Sequence, residues 1–140
     1  MKRLIRLLCL APLIAGCAPA GSDTLPEAVR SIATRAASST TDRLLVVAGT
    51  FGDTAMSFAT RQALITAGVV VQDASGAMES AFAMLEFVSV EESGNGWRVR
   101  TLRTTGGGDS ALESLASEQR IEWTVACAAA ACQVTDSTAW

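Results

Sequence analysis

The sequence predicts an α+β domain: a small mixed β-sheet of about four to five strands with one main helix packed on one face, around a βαββ-type core. Three observations predict it. Residues 43–49 carry Leu44, Leu45, Val46 and Val47 in a row, a short apolar run that suits a strand buried on both faces. Residues 54–67 have helical periodicity, Gly68 supplies a stop, and Val69, Val70 and Val71 resume an extended pattern. Such a strand–helix–strand unit lets its two strands pair in parallel. Finally, Ser93-Gly94-Asn95-Gly96 separates two alternating segments and is the strongest hairpin signal in the chain.

Taken in order, the elements begin at Thr24, a helix cap with Glu27 three residues later, as in a capping box. A first helix to about Ala37 places Val29, Ile32 and Ala36 on one side; this stripe is thin and predicts weak docking or a spacer. Residues 38–42 read as a polar linker. After the first strand, Asp53 is the expected cap of the main helix, in which Ala55, Phe58, Ala59, Gln62 and Ile65 share one face with Leu64 and Ala63 beside it. The hairpin joins residues 81–90 to 97–103. With Asn95 and Gly96 as its loop, Glu91 lies opposite Arg100 and Val90 opposite Thr101, with Trp97, Val99 and Thr101 toward the core. Gly106-Gly107-Gly108 breaks the second strand, and residues 110–117 form a short helix or a loop. Ile121, Trp123 and Val125 alternate with Glu122, Thr124 and Ala126 in a further strand, beside which residues 132–135 return. Residues 137–140 are expected to fray.

The first segment stands apart. Lys2, Arg3 and Arg6 precede a short apolar stretch, Leu7 to Ile14, too short for the roughly 18–20 apolar residues of a membrane span. Leu13-Ile14-Ala15-Gly16-Cys17 resembles the lipobox of bacterial lipoproteins, in which small residues fit a peptidase and the thiol takes a diacylglycerol. The expected cleavage lies between Gly16 and Cys17, with Cys17 lipidated; an ordinary signal peptide cut at an Ala-x-Ala-like site is the alternative. Fatty acyl chains, palmitate among them, contribute about 0.8 kcal/mol per buried methylene, so two or three chains anchor firmly. Ala18 follows the cysteine where an Asp would hold a lipoprotein at the inner membrane, which favours the periplasmic face of the outer membrane. The organisation expected is a signal peptide over 1–16, a lipidated tether and short helix over 17–42, a compact domain over 43–136 and a tail over 137–140.

Charge and residue types narrow the chemistry. The chain has 11 Lys plus Arg against 14 Asp plus Glu. Losing Lys2, Arg3 and Arg6 leaves 8 against 14, about −6, with no lysine remaining. An acidic surface of this kind is a poor match for nucleic acid, which rewards a basic face. The chain has no histidine, and so lacks the commonest general base and metal ligand. No catalytic residue, metal site or cofactor is expected. Glu91 and Glu92 flank a turn and read as solvated rather than as a catalytic dyad. The triple glycine is not followed by the Lys-Ser/Thr of a phosphate loop. Cys127 and Cys132, facing an oxidising periplasm, are expected to close a local disulfide; a redox or metal-binding pair is the weaker reading for a spacing filled only by alanines. Trp97 and Trp123 read as core residues.

The layout also resembles a known family, the small lipoproteins of conjugative transfer systems called the Trb-system H family. Phe51-Gly52, Leu64, Ala67-Gly68 and Val70-Val71 are similar to that family's helix and re-entry strand. Leu85-Glu86-Phe87, the Gly-Asn-Gly turn and Trp97-Arg98-Val99 are similar to its hairpin. The resemblance covers about residues 43–104. It implies a structural component of a type IV secretion apparatus in the outer membrane region. The functional expectation is therefore a non-enzymatic, lipid-anchored lipoprotein that docks to an envelope protein complex. The alternative is a lipoprotein that binds a small ligand or assists outer-membrane assembly.

Overall fold

A computed structural model describes residues 22–40, 44–73, 82–105 and 117–140. The fold is α+β. Among the described residues two α-helices, α1 (Leu25–Ser38) and α2 (Phe58–Thr66), lie over a mixed seven-stranded sheet. The strands are β1 (Leu44–Phe51), β2 (Thr54–Ala55), β3 (Val70–Gln72), β4 (Phe82–Ser93), β5 (Gly96–Thr105), β6 (Ser117–Ala128) and β7 (Ala131–Ala139). Strands β2 and β3 share the outer edge of β1, and the order then runs β1-β4-β5-β6-β7. Seven strands exceed the four to five expected, while the two helices fall in the segments read as helical, about 24–37 and 54–67. The segments expected to be a signal peptide and a tether, through residue 21, and the stretch at 106–116 with its triple glycine lie outside the described residues.

The strand–helix–strand unit forms as its pattern predicts. β1 pairs in parallel with β3, Val46 beside Val70, and also in parallel with β4, Leu45 beside Ala83. Leu45, Val46, Val47 and Ala48 are all buried, although successive side chains point to opposite faces of the sheet. The helix between them differs from expectation. The chain does not cap at Asp53 but makes the short strand β2, and α2 starts after Ser57, whose hydroxyl accepts the Thr60 amide at 3.2 Å. The inward residues are then Thr60 and Leu64, while Phe58 is 81% and Ile65 56% exposed. The helix packs against α1 and β3, Arg61 Nη2 donates to the Gly49 carbonyl of β1 at 3.2 Å, and the more apolar side of the helix faces outward.

The principal helix is instead α1. Ala28, Val29, Ile32, Ala33 and Ala36 are buried on it, a stripe at the i, i+3, i+4, i+7 spacing. Its alanines carry little hydropathy, which makes the stripe thin to read, but they let the helix lie close to the sheet. α1 runs along β5: the Trp97 indole donates to the Thr24 hydroxyl at 3.0 Å, and Arg103 donates to the Ser39 and Thr40 hydroxyls at 3.1 and 3.2 Å. The helix is thus pinned to the sheet at both ends. Thr24 is the cap residue, yet its side chain makes no capping bond, and Glu27 pairs with Arg30 rather than completing a box.

Beneath α1 the inner sheet face holds Leu85, Phe87, Trp97, Val99, Trp123 and Val125. Trp97 and Trp123 are core residues, each 5% exposed. The Trp123 indole donates to buried Thr101 Oγ1 at 2.8 Å, so no indole donor is stranded there. The hairpin register differs by two residues from that expected. Ser93 pairs with Gly96, Glu91 with Arg98 and Val90 with Val99, so Gly94 and Asn95 form the turn. Gly94 has φ of +61°, and Asn95 is not among the positive-φ residues, the pattern of a type II′ turn. Gly96 is needed within the strand, because a Cβ there would overlap the Val125 carbonyl oxygen of β6. A two-residue slip leaves faces unchanged, and Trp97, Val99 and Thr101 are buried as predicted. An unpaired Val88 between Phe87 and Ser89 re-phases β4, so that Val90 also points inward.

Candidate functional site

Cys127 and Cys132 face each other across the β6–β7 hairpin and are joined, with S–S 2.01 Å and Cα–Cα 4.1 Å. Between them the turn is Ala129-Ala130, with Ala129 at φ +54°. The Cys132 sulfur lies 3.5 Å from the Thr24 carbonyl oxygen. The disulfide therefore fixes the start of β7 beneath the start of α1. Closing so small a loop constrains the unfolded chain by about 2 kcal/mol or less. We expect the Cys127→Ser, Cys132→Ser double variant to remain folded, with a melting temperature lowered by on the order of 5–10 °C in calorimetry.

The β6–β7 hairpin extends further than the sequence reading. β7 continues to Ala139 instead of fraying after Asp136, with an extra residue, Thr135, between the pairs Val125–Val134 and Thr124–Asp136. Beyond it Trp140 lies between two guanidinium groups on the outer sheet face, Arg100 at 5.3 Å and Arg120 at 5.4 Å from its ring. Each such contact is worth about 0.5–1 kcal/mol at an exposed site. Arg100 Nε also donates to Glu122 at 2.7 Å, and Arg98 lies 3.7 Å from the same carboxylate. These contacts hold the chain terminus in the sheet.

Among the described residues no strand pairs with the second edge of β7. Nine residues of edge strand thus have no partner strand among the described residues, and they carry no lysine, no proline and a single charge, Asp136. Those are the features by which natural sheets usually discourage strand addition, and β7 has few of them. Along the inner side of this edge runs an open groove of about 770 Å³, walled by α1 with Ser31, Thr34, Arg35 and Ser38. An extended segment paired with β7 would place alternate side chains in that polar, Arg-flanked groove. A second exposed feature is the outward side of α2, with Phe58 and Ile65.

Other expected site residues are placed plainly. Gly16 and Cys17 lie outside the described residues. Glu91 and Glu92 are consecutive in β4 and both exposed, so their side chains project from opposite sheet faces and do not form a pair. Among the described residues no three metal-ligating side chains cluster. A signal for the strand itself was present in Gln133-Val134-Thr135-Asp136-Ser137-Thr138. Its β-branched residues suit a strand, but the short polar side chains suggest a tail.

Among the described residues one titratable pair, Glu27 with Arg30, is perturbed. Hydrogen bonding from Arg30, Nε to Oε2 at 2.9 Å with a second contact from Nη2, holds the Glu27 carboxyl below the usual carboxylate range. A depressed pKa contributes stability that is present above the unfolded carboxylate's pKa and lost as pH falls through the folded value. The pair is half exposed and worth up to about 0.5 kcal/mol. Glu27→Gln should be slightly less stable than the parent at neutral pH in urea titrations, and the difference should vanish on acidification below the carboxylate range.

Compared with family models, curated proteins and solved structures, the chain matches none.

Proposed function

We propose that the protein is a non-enzymatic, lipid-anchored lipoprotein of the outer membrane that docks to a larger envelope complex, the machinery of conjugation or type IV secretion. The Cys17 lipobox supports the anchor, and the resemblance of residues 43–104 to the Trb-system H family supports the choice of machinery. The observation that carries the docking role is the uncovered edge of β7, nine residues of sheet whose main-chain groups have no partner strand among the described residues. A partner strand added there gains main-chain hydrogen bonds, and the groove beside α1 supplies selectivity.

The test is crosslinking in intact cells followed by recovery of the native lipoprotein. The expected product is an adduct with a component of the envelope-spanning channel, identified by mass spectrometry. Gln133→Lys with Thr138→Lys places charge along the open edge at exposed positions. It should abolish the adduct while leaving the melting temperature within a few degrees of the parent. Recovery only as a free monomer would defeat the docking reading, and an adduct unaffected by the two lysines would defeat the role of β7.

A further inference from the structure

Three features meet at one end of the domain. The chain enters α1 there, with Thr24 bonded to Trp97 at the start of β5. The Gly94-Asn95 turn lies at the same end, because β5 begins at Gly96. The β6–β7 turn joins it, since the Cys127 amide donates to the Asn95 carbonyl at 3.1 Å. The opposite end holds Ser39 and Thr40 against Arg103. Along β5, Gly96 and Thr105 lie nine steps apart, about 30 Å, with Arg103 about 20 Å from Trp97.

The tether decides which end can face a bilayer. Cys17 precedes Ser22 by five residues, and a chain of that length spans at most about 17 Å. With the far end against the membrane, Ser22 would stand roughly 30 Å above it, out of reach of an acylated Cys17. The turn end fits within the tether. It also has the right surface: Ala128, Ala129, Ala130 and Ala131 form an exposed, uncharged tip, and Gly94 and Asn95 beside it are exposed and uncharged. Behind the tip the charged groups are Asp23, Glu91 and Glu92, with Arg98 opposite Glu91. That balance suits a zwitterionic headgroup layer and disfavours an anionic one.

We propose that the domain stands on the bilayer with this end down, the four-alanine tip of the β6–β7 hairpin resting against zwitterionic lipid headgroups. The inference rests on acylation of Cys17. The contact orients; the acyl chains hold. In this pose β7 rises from Ala131 at the membrane to Ala139 about 27 Å above it, and its open edge faces the periplasm along its whole length.

The experiment uses the full lipidated protein, labelled with nitrogen-15 and reconstituted into phosphatidylcholine nanodiscs containing a small fraction of gadolinium-headgroup lipid. Amide signals of Gly94, Asn95, Ala129 and Ala130 should lose the most intensity relative to a diamagnetic control, and those of Thr40, Arg103 and Thr104 the least. Ala129→Glu with Ala130→Glu should restore part of the lost intensity at the tip. Greatest loss at Arg103 and Thr104, or equal loss at both ends, would overturn the orientation. Failure to co-elute with the nanodiscs, with an unmodified Cys17 by mass, would instead overturn the acylation on which it rests.

Discussion

Gly96→Ala lowers stability by about 3 kcal/mol, with a fall in melting temperature on the order of 10 °C. The added Cβ would overlap the Val125 carbonyl oxygen and lie 2.8 Å from its carbon and 3.0 Å from the Ala126 Cα. These are main-chain atoms of β6, so nothing flexible can move aside; β5 and β6 must separate along a ladder that runs from Gly96–Ala126 to Thr105–Ser117. The comparison is Gly94→Ala two residues earlier. Gly94 sits at φ +61°, but a Cβ added there would meet no atom within 4 Å, so its substitution carries only the backbone cost of about 1–2 kcal/mol. Denaturant titration of both variants separates steric overlap from turn conformation. A Gly96→Ala protein as stable as the parent would show that the two strands do not approach as described.

The same glycine explains where sequence reading succeeded and where it slipped. Asn95-Gly96 is the better turn by local chemistry, and nothing in residues 81–103 reveals that β6 requires the glycine for itself. Tertiary contact outweighed local preference, yet the alternation of Trp97, Val99 and Thr101 survived because a two-residue slip preserves faces. β1 was legible because Leu45, Val46 and Val47 of its apolar run are buried together, although Leu44 is 52% exposed. α2 was legible in kind but not in phase: its apolar side, Phe58 with Ile65, is the side that faces out. The disulfide was readable from two cysteines five positions apart, since a two-residue turn between paired strands brings them opposite one another. The open edge was hardest to see. Whether a strand is central or terminal depends on what the rest of the chain pairs with, and Gln133 to Thr138 carry no local mark of it.

Position and docking come from one arrangement of elements. α1 lies along the sheet and delivers the tethered end of the chain to the two turns, and β7 leaves from that end. Were α1 a free spacer, the tether would lengthen by a whole helix, roughly 21 Å for fourteen residues, and the domain would hold no fixed pose. The proposed pose at the membrane therefore depends on the packing of a helix whose sequence advertises it weakly.

Ile32→Ala tests that packing directly and is expected to cost about 2–5 kcal/mol. Ile32 is 0% exposed, at the centre of a stripe with Val29 on one turn and Ala36 on the next. Alanine is the better helix former, so any intrinsic effect favours the variant, and the loss measured is the packing term alone. Thr34→Ala is the control on the same helix: its side chain is exposed, and its hydroxyl bonds only to the Arg30 carbonyl at 2.9 Å, so the change should stay within about 0.5 kcal/mol. Urea unfolding of the mature domain followed by tryptophan fluorescence reports on both, because the Trp97 indole bonds to Thr24 at the head of α1. Near-neutral Ile32→Ala would mean that α1 is a spacer after all, and would remove the geometric basis for a domain held upright at the membrane.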